Sequence, residues 1–186
     1  TTLALMKLSE RVAQNERTLF TFLADQSSPL AEFIRKHDGR YVLAPVDLVY
    51  DYFHISIRET SYDHDLKDLV IYADSLMSIL PQDQASLIRA IVLFSMLSDS
   101  CLMAVKPILK AALQWPVERL EQAISALEQN HRIYTRRSDG VLCLMRSATE
   151  SIRQDIDHEV KLRSGRINIA DQLAEIKDPG FTIPRR

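Results

Sequence analysis

A chain of 186 residues with 46% apolar and 26% charged residues has the length and composition for one or two domains with cores of their own. Its net charge of -2 gives no global pull toward nucleic acid or acidic membranes, so any DNA contact needs a local basic patch. Apolar runs such as 91–94 are far too short to cross a bilayer, and no signal-peptide pattern opens the chain.

Four glycines and frequent helical periodicity predict a mostly α protein. Residues 8–24 read as a helix with Leu8, Val12, Leu19 and Leu23 on one side and Arg11, Gln14, Asn15 and Arg17 on the other. A short helix over 28–37 ends at the Asp38-Gly39 turn signal. Pro45 and Asp47 introduce an aromatic-rich helical piece over 48–53. Over 62–80, Leu66, Leu69, Val70, Ala73, Leu76, Met77 and Leu80 form one apolar stripe. These elements compose a helical bundle, residues 1–81, with Pro81 as its boundary.

A different pattern follows over 82–146. Asp83 is placed to cap a helix reaching Leu97, and the breadth of its apolar arc implies burial on more than one side. Pro107 opens a short helix over 107–113, and Pro116 a third that ends near Asn130, with Glu118 against its N-terminal dipole. Two β-prone runs, 131–136 and 141–145, flank a turn containing Asp139-Gly140. Helix, short helix, longer helix and hairpin in that order is the winged-helix order. Ser147 and Glu150 form a capping box for a further helix with Ile152, Ile156 and Val160 on its apolar side. A last helix over 167–176 precedes an extended tail, so 147–186 reads as C-terminal helices and tail. The start at Thr1 and the partnerless tail suggest an excerpt of a longer chain.

Little in the sequence points to catalysis. Four scattered glycines and the absence of a G-x-x-x-x-G-K motif leave no phosphate-binding loop. Asp63-His64-Asp65 near His54 places consecutive residues, which point apart on a helix and do not share a metal. Cys101 and Cys143 have no metal-like spacing and read as small core side chains in a reducing, cytoplasmic setting. No nucleophile elbow or polarised base stands out. The chain alone is therefore expected to be no enzyme, with no metal and no cofactor.

In a winged helix the third helix is the one that meets DNA. Its outward positions here are Glu118, Arg119, Glu121, Gln122, Ser125, Glu128 and Gln129, an acid-rich face that repels phosphates. The wing is different, because Arg132, Arg136 and Arg137, with Arg146 beyond, form a compact basic cluster for a DNA backbone or a protein partner. On the first helix, Arg11 and Arg17 are of the type that grips phosphate bidentately. They equally fit an exposed face paired with Glu10 or Glu16.

The segment Ser9-Glu10-Arg11-Val12-Ala13-Gln14-Asn15-Glu16-Arg17-Thr18-Leu19-Phe20-Thr21-Phe22-Leu23 resembles the "ERxAQNERTLFSFL" stretch of large bacterial STAND- or AAA-like P-loop ATPases, several associated with anti-phage defence. Asp47-Leu48-Val49-Tyr50-Asp51-Tyr52-Phe53 resembles their "DLYDYF" stretch. Residues 88–145 are similar to their winged-helix segment with its "VYRR…DG…L" hairpin, and 167–186 to a later "LAELLN…P…VARR" stretch. The Walker A and Walker B regions of that family, which lie upstream, are absent from this sequence. The resemblance implies a lid-like bundle and winged helix from a longer ATPase, whose upstream core would bring ATP and Mg and which Arg11 or Arg17 would face.

The expected role is a non-catalytic regulatory segment that couples nucleotide state to an effector, a protein partner or a second copy, away from any membrane. The alternative expectation is a DNA-binding protein that contacts duplex backbone through its basic wing.

Overall fold

The computed structural model describes residues 22–37, 42–60, 64–97 and 102–146, together with Ala4, Met6, Lys7, Ile156 and Val160. The chain forms two compact units, Thr1–Arg146 and Ser147–Arg186, and every element with a described range belongs to the first. The helix expected over 8–24 is described only at its end, where residues 22–24 are helical and Phe22 is buried. The Ser147–Glu150 capping box and the helix over 167–176 lie outside the described residues.

Among the described residues the protein is mostly helical, with one two-stranded antiparallel hairpin. Helix α1 spans Pro29–Lys36, where the Ser28 hydroxyl accepts the Ala31 N–H at 3.1 Å and Pro29 fills the first turn. Glu32 near its start, and Arg35 and Lys36 near its end, complement the helix dipole. Helix α2 runs over Asp47–Thr60, a full turn and more beyond the expected end at residue 53. The apolar stripe Val49, Tyr50, Phe53 and Ile57 continues at helical spacing and is buried, so packing carries the helix through β-branched Ile55 and Ile57. Helix α3, His64–Met77, buries Val70, Ala73 and Leu76, as its periodicity predicts.

Helix α4, Gln82–Leu97, is the centre of the unit. Leu87, Ile88, Ala90, Ile91, Val92, Leu93 and Met96 are fully buried and point to all sides of the helix. Helices α2 and α3 pack on it from one side; α5 (Lys106–Leu113), α6 (Val117–Gln129) and the hairpin pack from the other. One continuous apolar core therefore runs across Pro81, from Phe22 and Phe53 to Leu127 and Leu142. Each fully buried aliphatic side chain in it contributes roughly 1.5–3 kcal/mol. Among the described residues no helix is long and apolar enough to cross a membrane.

Local chemistry sets the remaining turns. Pro107 sits in the first turn of α5, and the helix ends on Gln114, a left-handed residue at φ 57°. Pro116 then precedes α6, which ends at Asn130. Strands β1 (Ile133–Thr135) and β2 (Leu142–Leu144) pair in the register Ile133↔Leu144, Tyr134↔Cys143 and Thr135↔Leu142. Gly140, at φ 72°, closes the loop between them by donating to the Arg136 carbonyl at 2.9 Å. On the far edge of β2 the Leu142 N–H donates to the carbonyl of Ala104 at 2.9 Å. That extended residue lies between α4 and α5, so the hairpin has a third partner in the place a winged helix puts its first strand.

Candidate interaction surface

Helix α6 buries Leu120, Ala123, Ile124 and Leu127 and turns Glu118, Arg119, Glu121, Gln122, Ser125 and Gln129 outward. This is the face expected from the periodicity, with one correction. Glu128 is half-buried, and its carboxylate accepts the Thr135 hydroxyl at 2.6 Å, which ties the helix to β1.

Arg119 is the only cation of α6, and it is not available to a phosphate. Its Nε donates to Asp83 Oδ2 at 3.1 Å and its Nη2 to Oδ1 at 2.5 Å, a bidentate pair. The guanidinium also lies 4.3 Å from the ring centroid of Trp115. The Arg119 hydrogen bonds hold the Asp83 carboxyl below the usual carboxylate range, although both side chains are about half exposed. Asp83 was expected to cap α4; instead the helix begins at Gln82, the Pro81 carbonyl accepts the Ala85 N–H at 2.9 Å, and the carboxylate turns to α6. Between the start of α4 and α6 lies an open groove of about 460 Å³, with Pro81, Asp83, Arg119 and Gln122 around it and Ala123 and Ala126 among its lining.

The basic wing is less basic than its sequence. Arg136 folds back on Asp139, with Nε to Oδ1 at 2.9 Å and Nη2 to Oδ2 at 2.6 Å. The same Oδ1 accepts the Val141 N–H at 3.2 Å, so this pair braces the loop. The half-buried Arg136 guanidinium is held firmly charged by the hydrogen bonds it donates to Asp139. Arg137 is exposed in the loop. Arg132 and Arg146 are half-buried; the Arg132 carbonyl accepts the Met145 N–H at 2.8 Å, which places both arginines at the base of the hairpin, away from Arg137. The four wing arginines thus do not present one open patch. Arg11 and Arg17 lie outside the described residues.

Four polar links that the sequence did not reveal join the bundle to the winged helix and brace it. Tyr72 of α3 donates its hydroxyl to the Met145 carbonyl at 2.9 Å. Gln114 donates its side-chain amide to the Leu43 carbonyl at 2.6 Å, and the Val46 N–H donates to the Ala112 carbonyl at 3.0 Å. Arg89 of α4 approaches Asp51 of α2, Nε to Oδ1 at 2.6 Å. Each spans dozens of residues, so no local spacing could have found it.

Within the bundle, Tyr50 is buried and donates to Asp74 Oδ1 at 2.9 Å; burial first, then the Asp74 charge, push its phenol well above the ordinary range. Arg58 stands 3.9 Å from the other Asp74 oxygen. The His54 ring stacks on Tyr50 at 5.5 Å with its Nδ1 3.0 Å from the Asp51 carbonyl, while His64 begins α3 and Asp63 lies outside the described residues. Cys143 is half-buried in β2 with its Sγ 3.8 Å from the Val141 carbonyl, and Cys101 lies outside the described residues. No family model, no curated protein and no solved structure matches the chain.

Proposed function

We propose that this chain is a non-catalytic regulatory and interaction segment of a larger P-loop ATPase, in which bundle and winged helix relay nucleotide state to an effector or protein partner. The observation that carries the reading is the outer face of α6. It presents Glu118 and Glu121, and its one cation is held by Asp83 and Trp115. Such a face repels a phosphate backbone and suits a protein surface with basic groups. The ATPase half of the reading rests on the resemblance of 9–23 and 47–53. ATP and Mg would belong to the upstream core, faced by Arg11 or Arg17, and the complex would work in the cytoplasm.

Charge reversal tests it without breaking the shared core. Glu118→Lys with Glu121→Lys in the intact ATPase should change its turnover or its assembly with a partner or second copy. Unchanged turnover and unchanged assembly sink the proposal. The second reading, backbone contact with duplex DNA, is favoured by exposed Arg137 in the wing loop. It predicts salt-sensitive binding that weakens in Arg137→Ala, and a flat titration at low salt rejects it.

A further inference from the structure

The seam between α2 and α4 holds more hydrogen-bonding capacity than it uses. Asp47 and Asp51 stand one turn apart on α2 and so share a face. Arg89 reaches that face from α4, with Nε 2.6 Å from Asp51 Oδ1. The approach is close but off-line: Nε makes no well-directed hydrogen bond, and Nη1 is buried without a partner. One turn back along α2, Asp47 Oδ1 is also buried without a partner. A donor and an acceptor left bare in one seam each keep their desolvation cost, and joining them removes both. Asp51 is itself imperfectly satisfied, since burial holds its carboxyl above the usual range against the pull of Arg89, and the Asp47 charge adds to that.

We propose that Asp47 and Asp51 are alternative seats for the Arg89 guanidinium, forming a two-position latch between bundle helix α2 and the shared helix α4. The seats differ by one helical turn, about 5.4 Å, which a long arginine side chain covers with a rotamer change and a small shift of α4. In either seat the guanidinium keeps one carboxylate and leaves the other without it, so exchange does not change the number of paired charges. Of the other charged groups near the seam, Arg119 of α6, whose charge reaches Asp47, is held by Asp83. Asp74 of α3 accepts the Tyr50 hydroxyl through Oδ1, while its Oδ2 is buried without a hydrogen bond and 3.9 Å from Arg58. The latch belongs to this chain alone and does not depend on which partner meets α6.

NMR relaxation dispersion on the Arg89 Nε–Hε resonance of the 186-residue chain reads the latch directly. The wild type should show two-state exchange. Asp47→Asn should abolish it with the major-state shift unchanged, and Asp51→Asn should move the resonance to the second position. A flat wild-type profile overturns the proposal. Urea unfolding supplies an independent cycle. Asp47→Asn should lower the folding constant by under about 3-fold alone, but by more than about 10-fold in the Asp51→Asn background. Additive effects overturn the latch, and so does an Asp51→Asn chain that fails to fold, because Asp47 then cannot replace Asp51.

Discussion

Phe53→Ala gives the sharpest test of whether bundle and winged helix are one cooperative structure. Phe53 is 1% exposed on α2, with the Phe22 and Tyr52 rings centred 6.3 and 5.0 Å away. Phenylalanine truncation in a core costs about 3–5 kcal/mol, and a site walled by two other rings and by α4 collapses poorly, which puts it near 4. At a urea slope of about 2 kcal/mol per M the unfolding midpoint then falls by about 2 M. Trp115, the single tryptophan, sits 8% exposed between α5 and α6, on the other side of α4. Its fluorescence therefore reports the winged-helix half, while circular dichroism at 222 nm reports all helices. A shared core requires both midpoints to fall together by the same amount. A Trp115 transition that stays in place while the helical signal moves refutes the reasoning and makes Pro81 a true domain boundary.

Other outcomes follow from particular contacts. His131 is exposed in the left-handed region at φ 52°, so His131→Gly should stabilise by up to about 1 kcal/mol in urea unfolding; destabilisation contradicts the backbone argument. Asp139→Ala removes two bonds from Arg136 and one from the Val141 N–H, and should cost about 1–2 kcal/mol while amide exchange quickens at residues 136–141 and not in α4. Arg119→Ala should shift Trp115 emission to the red yet cost under about 1 kcal/mol, because the lost pair is half exposed; a larger loss means the clamp holds α4 to α6. The two aspartates titrate in opposite senses from the ordinary value of 3.8. Asp83 lies below it, so its small contribution is complete above about pH 4 and fades as pH falls through the folded value. Asp51 lies above it, so its contribution is present below 3.8 and fades as pH rises through the folded value. Carboxyl carbon shifts followed by NMR check the order, and Asp83 titrating above Asp51 would refute it.

What the sequence made legible is what local rules govern. Pro107, Pro116 and Asp139-Gly140 each impose a backbone choice, and α5, α6 and the hairpin fall where those residues put them. The stripe of α3 was equally plain. The end of α2 was hidden because β-branched Ile55 and Ile57 weaken local helix propensity, while the burial that overrides it is tertiary. Asp83 looked like a cap because its residue type fits one; its partner, Arg119, lies 36 residues away. The wing arginines looked like a cluster because they are close in sequence, yet Arg136 had an acid three residues on that was free to claim it. The breadth of the α4 arc did announce burial on several sides. The identity of the second neighbour, the bundle itself, was not in that pattern.

The Tyr72 hydroxyl has a mechanical meaning. The chain leaves the hairpin at Met145, whose N–H is held by the Arg132 carbonyl and whose own carbonyl is held by Tyr72. A load applied beyond Arg146 would otherwise unzip β2 from β1 one rung at a time, the weakest way to pull on a ribbon. With Tyr72 attached, tension reaches α3 before the first inner rung opens, and the hairpin and the bundle resist it in parallel.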